Sequence, residues 1–189
     1  VSAQDSKLFV ISGPSGAGKG TLVTRVRERR SNLGLTVSAT TRAPRKGEVD
    51  GVNYFFLTRE EFDRRVANGE FVEWAEVHGN CYGTLVSEVT SKLASGASLI
   101  LEIDVQGALQ VKERFPEAVL IFIKPPSLEV LRERLVGRGT ETPETIELRM
   151  ANAADELALA DRYDDVVVND DLDRATDELV RVLDMHERI

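Results

Sequence analysis

The first stretch that could do chemistry is a glycine-rich segment at residues 13–21, GPSGAGKGT. An apolar run precedes it and a helical pattern follows it, and this strand–loop–helix context is typical of a phosphate-binding loop. Glycines allow backbone N–H groups to point at an anion, the helix N-terminus favours negative charge, and Lys19 adds a full positive charge. The alternative is a flexible surface turn, since glycines also serve tight turns.

One position departs from the usual phosphate-loop pattern, G-x-x-x-x-G-K-[ST]. Gly20 follows Lys19 where a hydroxyl residue is usual, and the hydroxyl of Thr21 comes one residue later. The usual hydroxyl holds Mg²⁺, so no direct protein ligand is predicted at this position. We expect Mg²⁺ to be held mainly through nucleotide phosphates and water, because this ion keeps much of its water shell.

A second candidate site lies in the segment SATTRAPRKGEVDGVNYFF, which begins at Ser38. Arg42 and Arg45 flank a proline, and a guanidinium fork suits phosphate oxygens. The hydroxyls of Tyr54 and Tyr82 could donate to the same anion. The pattern favours a second phosphate site, and the alternative is a solvated basic loop.

Carboxylates on otherwise apolar strands form the third candidate: Glu73, Glu102 and Asp104. An unpaired carboxylate is costly to bury. Guanine offers two adjacent N–H donors that a carboxylate can accept, whereas adenine presents an acceptor there and would be rejected. Ser38 or Thr84 could donate to the guanine O6. The alternatives are an exposed strand face for Glu73 and a strand-end cap for Asp104.

These candidates need a scaffold, and the apolar runs predict a parallel sheet. Short runs rich in Val, Ile and Leu predict strands buried on both faces at 7–12, 35–41, 98–104, 118–124 and 164–170. Helical patterns follow most of them, with Ser127 as an N-cap, Pro143 at a first helical position, and Gly137 and Gly139 as stops. Strands that alternate with helices predict an α/β fold with helices on both faces of the sheet.

Residues 42–97 break this alternation. They predict three short strands and one helix, with Thr58 and Glu61 as a capping box at its start. Because no long linker is present, we expect a small mixed subdomain inserted into a single domain.

The net charge, the length of the apolar runs and the counts of cysteine and histidine exclude several classes of function. A net charge of −8 argues against a broad nucleic-acid surface. No apolar run is long enough to cross a bilayer, and residues 1–7 hold no secretion-signal core. Cys81 is the only cysteine, which favours a reducing, cytoplasmic compartment. With His78 and His186 as the only histidines, no multi-histidine or cysteine metal site is predicted.

Taken in order from about Lys7 onward, the motifs resemble guanylate kinase. The segments that carry the resemblance are SGPSGAGKGT, SATTRAPRKGEVDGVNYFF, GEFVEWAEVHGNCYGT, LEIDVQGALQVK, IFIKPPSLEVLRERLVGRGTET and VVVNDDLDRATDELVRVL. The resemblance implies a P-loop NTPase-type parallel five-stranded sheet within one domain, 1–189. Its implied parts are a core (7–36, 98–126 and 150–189), a mixed α+β GMP-binding insert (37–97) and a helical lid (127–149).

The resemblance also implies a role for each candidate residue. The ATP-binding residues would be Gly13, Pro14, Ser15, Gly16, Ala17, Gly18, Lys19, Gly20, Thr21 and, near the adenine, Asn169. The GMP-binding residues would be Ser38, Arg42, Arg45, Tyr54, Glu73, Tyr82, Thr84, Glu102 and Asp104. The catalytic residues would be Lys19, Arg42 and the lid arginines Arg134, Arg138 and Arg149.

The implied reaction is ATP-dependent phosphorylation of GMP, and of dGMP, with ATP, GMP and Mg²⁺ as partners and neither nucleic acid nor membrane. An anionic phosphate oxygen is the acceptor, so no strong general base is needed, in agreement with the shortage of histidine. Two alternatives stay open: a non-catalytic guanylate-kinase-like module that binds proteins, and a kinase for another nucleoside monophosphate.

Overall fold

The computed structural model of the protein describes residues 6–188. Most of residues 1–7, for which no secretion signal is predicted, lies outside the described residues. In chain order the strands are β1 (Leu8–Ser12), β2 (Gly34–Leu35), β3 (Ala39–Thr40), β4 (Phe55–Phe56), β5 (Phe71–Val77), β6 (Asn80–Leu85), β7 (Leu99–Glu102), β8 (Val119–Lys124) and β9 (Asp165–Val168). The helices are α1 (Lys19–Arg29), α2 (Arg59–Ala67), α3 (Val86–Ala94), α4 (Val105–Arg114), α5 (Leu128–Gly137), α6 (Pro143–Leu157) and α7 (Leu172–Glu187).

A five-stranded parallel sheet with the order β2-β7-β1-β8-β9 forms the centre of the fold, as the sequence predicts. Successive side chains of a strand point to opposite faces. Phe9 and Ile11 of β1 accordingly pack in one cluster with α1 and α7, while Leu8 and Val10 pack in another with α3 and α4. Both faces of β1 are therefore buried, which is why its sequence is apolar without alternation.

The prediction of a single strand at 35–41 is wrong. Its first residue, Leu35, ends β2 in the central sheet, whereas Ala39 and Thr40 form β3 in a second sheet. Between them the backbone N–H of Val37 donates to Glu88 Oε1 rather than to a strand. The ladder is interrupted there, and the chain passes from one sheet to the other.

The prediction that all core strands are buried on both faces is also wrong at the two edges of the sheet. Leu35 in β2 is 39% exposed and Val166 in β9 is 41% exposed. Edge strands lack a neighbour on one side, and apolar residues there need not be covered.

The second sheet has the order β4-β3-β6-β5. Residues 42–97 contribute three of its strands, as predicted, and β3 adds a fourth from outside that segment. The small core of this sheet holds Phe62 of α2, whose ring stacks on Phe71 with centroids 4.4 Å apart. Thr58 caps α2 by accepting from the N–H of Glu61, as predicted. Helix α3 was not predicted, because its β-branched residues disfavour a helix; burial of Val89 on the central cluster outweighs that preference.

Helix α5 and the first half of α6 occupy the segment 127–149, for which a helical lid is predicted. Ser127 caps α5, Pro143 is the first residue of α6 and Gly139 has a positive φ of 64°, in agreement with the sequence signals. The two helices share a cluster that includes Leu131 and Ala153. Helix α6 runs without a break through the proposed boundary at 149/150 and ends at Leu157, earlier than its sequence pattern suggests.

The helices within residues 6–188 include none with the length and apolar character needed to span a membrane.

Two leucine-to-alanine variants test the importance of the α7 packing. Leu179 is 0% exposed in the core, whereas Leu148 on α6 is 61% exposed. We expect Leu179→Ala to lower the free energy of unfolding by about 2–5 kcal/mol, because it leaves a cavity. Leu148→Ala should change it by no more than about 0.5 kcal/mol. Chemical denaturation measures both, and equal effects would contradict the assigned core.

Candidate active site

The glycine-rich loop runs from the end of β1 to the start of α1, and its backbone geometry requires glycine. Gly13 and Gly18 have φ values of 147° and 88°, which residues with a side chain rarely adopt. A Cβ on Gly13 would lie 2.3 Å from the carbonyl oxygen of Ile123, and one on Gly18 would lie 2.4 Å from Asn169 Nδ2. The loop is therefore held close to β8 and to Asn169, unlike a flexible surface turn.

Lys19 is the first residue of α1, and its ammonium group donates to the carbonyl oxygen of Gly13. Burial lowers the pKa of Lys19, and the carboxylates of Glu102, Glu156 and Asp104 oppose this shift. Lys19 lines a cavity of about 370 Å³ together with residues of the loop, Glu102 and Arg138. A cation, a helix N-terminus and glycine backbone line one cavity, an arrangement that can hold an anion.

Asn169 follows β9 and connects that strand to the loop. Its side-chain Nδ2 donates to the carbonyl oxygen of Ala17 at 2.8 Å. Its backbone N–H donates to the carbonyl oxygen of Lys124, also at 2.8 Å. A second cavity, of about 330 Å³, lies between this region and α5 and is lined by Gly16, Gly18, Thr21, Arg134, Arg138, Asn169, Asp170 and Leu172. The side chain of Asn169 thus positions the loop directly.

The three arginines predicted for the lid lie around the same loop. Arg134 Nη2 donates to the carbonyl oxygen of Asn169 at 2.8 Å. Arg149 donates to Ser15 Oγ and forms an ion pair with Glu141, with 2.8 Å between Nη2 and Oε1. Arg138 lines both cavities. The structure therefore brings these cations to the loop from α5 and α6.

The predicted second phosphate site is built around Arg42. Its Nη1 and Nη2 donate to the two carboxylate oxygens of Glu48 at 3.0 and 2.9 Å, and its guanidinium lies 5.2 Å from the centroid of the Tyr54 ring. The rings of Tyr54 and Tyr82 meet edge to face, with centroids 6.2 Å apart. Arg45 has an exposed side chain, and its backbone N–H donates to Glu48 Oε1.

Glu48 is a residue that the sequence reasoning missed. It raises the pKa of Arg42 above the ordinary range of arginine by a side-chain hydrogen bond. No sequence motif marks Glu48, because its contacts arise from a turn in which the N–H of Glu48 donates to the carbonyl oxygen of Arg45.

The predicted guanine-reading carboxylates lie where β5 meets the start of α4. Thr84 Oγ1 donates to Glu73 Oε1 at 2.8 Å across the β5–β6 pair. Burial raises the pKa of Glu73, the Thr84 hydrogen bond opposes that shift, and the charge of Asp104 adds to it. The strand pairing of Ala39 with Gly83 brings Ser38 next to Thr84.

Asp104 caps α4 by accepting from the N–H of Gly107 at 2.7 Å, in agreement with the alternative interpretation of this residue as a cap. A Cβ on Gly107 would lie 3.0 Å from Asp104 Oδ1 and 3.6 Å from Glu73 Oε2. Gly107, which the sequence reasoning did not single out, thus leaves room for the two carboxylates to approach each other.

Glu102 lies apart from the Glu73–Thr84 pair. It lines the cavity of Lys19, and a Cβ on Gly20 would lie 3.5 Å from Glu102 Oε1. Within residues 6–188, no group of three or more His, Cys, Asp and Glu side chains could hold a metal ion by itself. The oxygen-bearing side chains of this cavity, among them Thr21 and Glu102, could still contact a hydrated metal ion that is held by phosphates.

Comparisons with known proteins agree on one family. A sequence model described as guanylate kinase matches residues 5–186. A guanylate kinase from Gloeobacter violaceus is 57% identical over 94% of this chain and 87% of the relative. A guanylate kinase from Halalkalibacterium halodurans is 53% identical over 93% of this chain and 86% of the relative. The crystal structure of guanylate kinase from Anaplasma phagocytophilum superimposes with a TM-score of 0.70 at 37% identity, over 96% of this chain and 86% of that chain. With a matching sequence model, close relatives and a shared fold, this chain belongs to the guanylate kinase family.

Proposed function

We propose that this chain transfers the γ-phosphoryl group of ATP to GMP, and to dGMP, giving ADP and the corresponding diphosphate. One observation carries the proposal in this member of the guanylate kinase family. Two separate cationic sites, one around Lys19 and one around Arg42, accompany a half-buried carboxylate that is paired to a hydroxyl, Glu73 with Thr84. Two phosphate sites and a purine-reading carboxylate suit a donor nucleotide and a guanine acceptor.

The donor side is the glycine-rich loop. Its backbone and Lys19 would bind the ATP phosphates, and Asn169 would lie beside the adenine through its contact with the loop. Nucleotide kinases generally need Mg²⁺, and we propose that it is held mainly by phosphates and water. Glu102 and Thr21 would face its water shell, since both line the cavity of Lys19.

The acceptor side is the insert. Arg42, Arg45, Tyr54 and Tyr82 would bind the GMP phosphate. Glu73 would accept from the guanine N1–H and N2–H₂ with help from Asp104. Ser38 and Thr84 would donate to O6. This assignment uses the strand pairing that places these side chains on neighbouring strands.

Catalysis would consist of positioning and charge neutralisation. The acceptor oxygen is already anionic, so the barrier comes from bringing two polyanions into line. Lys19, Arg42 and the lid arginines would stabilise the transferring group, and the lid (127–149) would move relative to the core and to the insert (37–97) to exclude water.

No observation favours the non-catalytic alternative, because Lys19, Arg42, Arg138 and Arg149 are all present. The buried, unpaired Cys81 suits the cytoplasmic location that we propose.

Replacing Lys19 tests the donor side. We expect Lys19→Met to lower kcat by about 10²- to 10³-fold, because a charge that neutralises the transferring group is lost. GMP affinity should stay within about twofold, since Lys19 lies on the donor side only. Steady-state kinetics and calorimetric GMP binding measure the two effects. Lys92→Met, which removes a half-exposed lysine of α3 that pairs with Glu88, is the control. Turnover of Lys19→Met within tenfold of the parent would refute the assignment.

Replacing Glu73 tests the acceptor side. Glu73→Gln places an amide N–H₂ where guanine offers donors, so we expect the KM for GMP to rise about 10- to 100-fold while the KM for ATP stays nearly constant. Glu76→Gln, on the same strand but exposed, is the matched control. An equal effect on both Michaelis constants would exclude guanine recognition by Glu73.

The pH dependence of GMP binding tests the same residue independently. Because burial raises the pKa of Glu73, its carboxylate protonates at a higher pH than an exposed one. GMP affinity should therefore fall as the pH drops through that raised pKa, and this component should be absent from Glu73→Gln. Calorimetric titrations at a series of pH values measure it, and identical profiles for the two proteins would contradict the role.

A further inference from the structure

We propose that Glu48 is a positioning residue for the acceptor phosphate: it holds Arg42 so that one edge of the guanidinium remains turned toward the phosphate of GMP. The inference rests on the proposed function, in which Arg42 binds that phosphate. It assigns Glu48 a role that acts through Arg42 rather than through contact with the substrate.

The hydrogen bonds of Arg42 lead to this assignment. A guanidinium has about five N–H donors arranged in a rigid fork. One edge of the Arg42 fork is used by Glu48, through Nη1 at 3.0 Å and Nη2 at 2.9 Å, and the second N–H of Nη1 donates to the carbonyl oxygen of Ala43 at 2.9 Å. Glu48 and Ala43 leave Nε–H and the second N–H of Nη2, which lie side by side on the other edge and within reach of the Tyr54 and Tyr82 side chains. Two parallel donors of this kind match two oxygens of a phosphate.

Two tyrosines also surround the guanidinium of Arg42. The hydrogen bond from Glu48 is the main cause of the raised pKa of Arg42, and the side chains of Tyr54 and Tyr82 add to it by hydrogen bonding. The guanidinium carbon lies 5.2 Å from the centroid of the Tyr54 ring, and the Tyr82 ring meets that ring edge to face. Glu48 and the tyrosine pair together fix the plane of the fork.

Glu48 also organises the loop that carries the second arginine. Its Oε1 accepts from the backbone N–H of Arg45 at 2.8 Å, and its own N–H donates to the carbonyl oxygen of Arg45 at 3.0 Å. The two side chains of the Arg42–Glu48 pair are only 15% and 17% exposed. Since Glu48 Oε1 accepts from both Arg42 and the Arg45 backbone, the loop holds this carboxylate against Arg42 before substrate arrives.

The test compares Glu48→Gln with the parent protein. An amide can accept with one oxygen only, so the fork loses one of its two contacts and its charge partner. We expect the GMP dissociation constant, measured by calorimetry, to rise about tenfold or more. The KM for ATP should stay constant, because Glu48 acts through Arg42 on the acceptor side and not through the ATP-binding loop. The ion-pair control is Glu76→Gln, which removes the partner of Arg59 in the same insert and should leave GMP binding unchanged.

A double-mutant cycle separates positioning from a general structural effect. If Glu48 acts through Arg42, Glu48→Gln should change GMP affinity by less than about twofold in an Arg42→Ala background. Unchanged or tighter GMP binding by Glu48→Gln would overturn the inference, as would an effect of full size in that background. If Glu48→Gln does not fold, Glu48→Asp is tested in its place, because the shorter carboxylate displaces the guanidinium of Arg42 while keeping the charge. Weakened GMP binding by Glu48→Asp would support the inference, and unchanged binding would overturn it.

The outcome for the parent protein distinguishes this inference from the proposed function. A parent that neither binds GMP nor forms GDP contradicts the proposed function. A parent that does both, with GMP binding that is insensitive to Glu48, contradicts only the role of Glu48.

Discussion

Mutual repulsion between two phosphate-bearing substrates is the constraint on which this structure depends. Two unit negative charges 4 Å apart repel by about 4 kcal/mol at the effective dielectric of a protein surface, and each nucleotide carries several charges. The chain itself has a net charge of −8, so its cations must be concentrated where the phosphates meet. Carboxylates hold several of these cations: Glu48 pairs with Arg42, Glu141 with Arg149, and Glu102 lies close to Lys19. An acidic protein thereby presents a local basic site.

The scaffold places these groups by simple means. Loops after the parallel strands β1, β7 and β9 lead into helices at one edge of the sheet, and the glycine loop, Asp104 and Asn169 lie in those connections. The insert adds Glu73 and Thr84 through an antiparallel pair that reaches the start of α4. Most connections between these elements are short, as in ordinary α/β domains. The exception is the segment 41–54 between β3 and β4, which has no helix or strand of its own and carries Arg42, Arg45 and Glu48.

Local signals in the sequence predicted most of the fold, because they depend on neighbouring residues alone. The strand before the glycine loop, the Ser127 and Thr58 caps and the start of α6 at Pro143 are of this kind. Features that depend on tertiary contacts were harder to predict from the sequence. The run at 35–41 looked continuous, yet a hydrogen bond to Glu88 divides it. Glu48 and Gly107 carry no chemical motif, and only the fold reveals their contacts with Arg42 and Asp104.

The most direct test of the account is the choice of phosphoryl acceptor. Purified protein is supplied with ATP and Mg²⁺, and ADP formation is measured with GMP, AMP, UMP or CMP, alone and in competition. The account predicts that GMP is preferred in kcat/KM by at least about 10²-fold, since the other bases cannot pair the half-buried carboxylate of Glu73 in the same way. Absence of ADP formation with GMP, or another monophosphate that outcompetes it, would contradict the account.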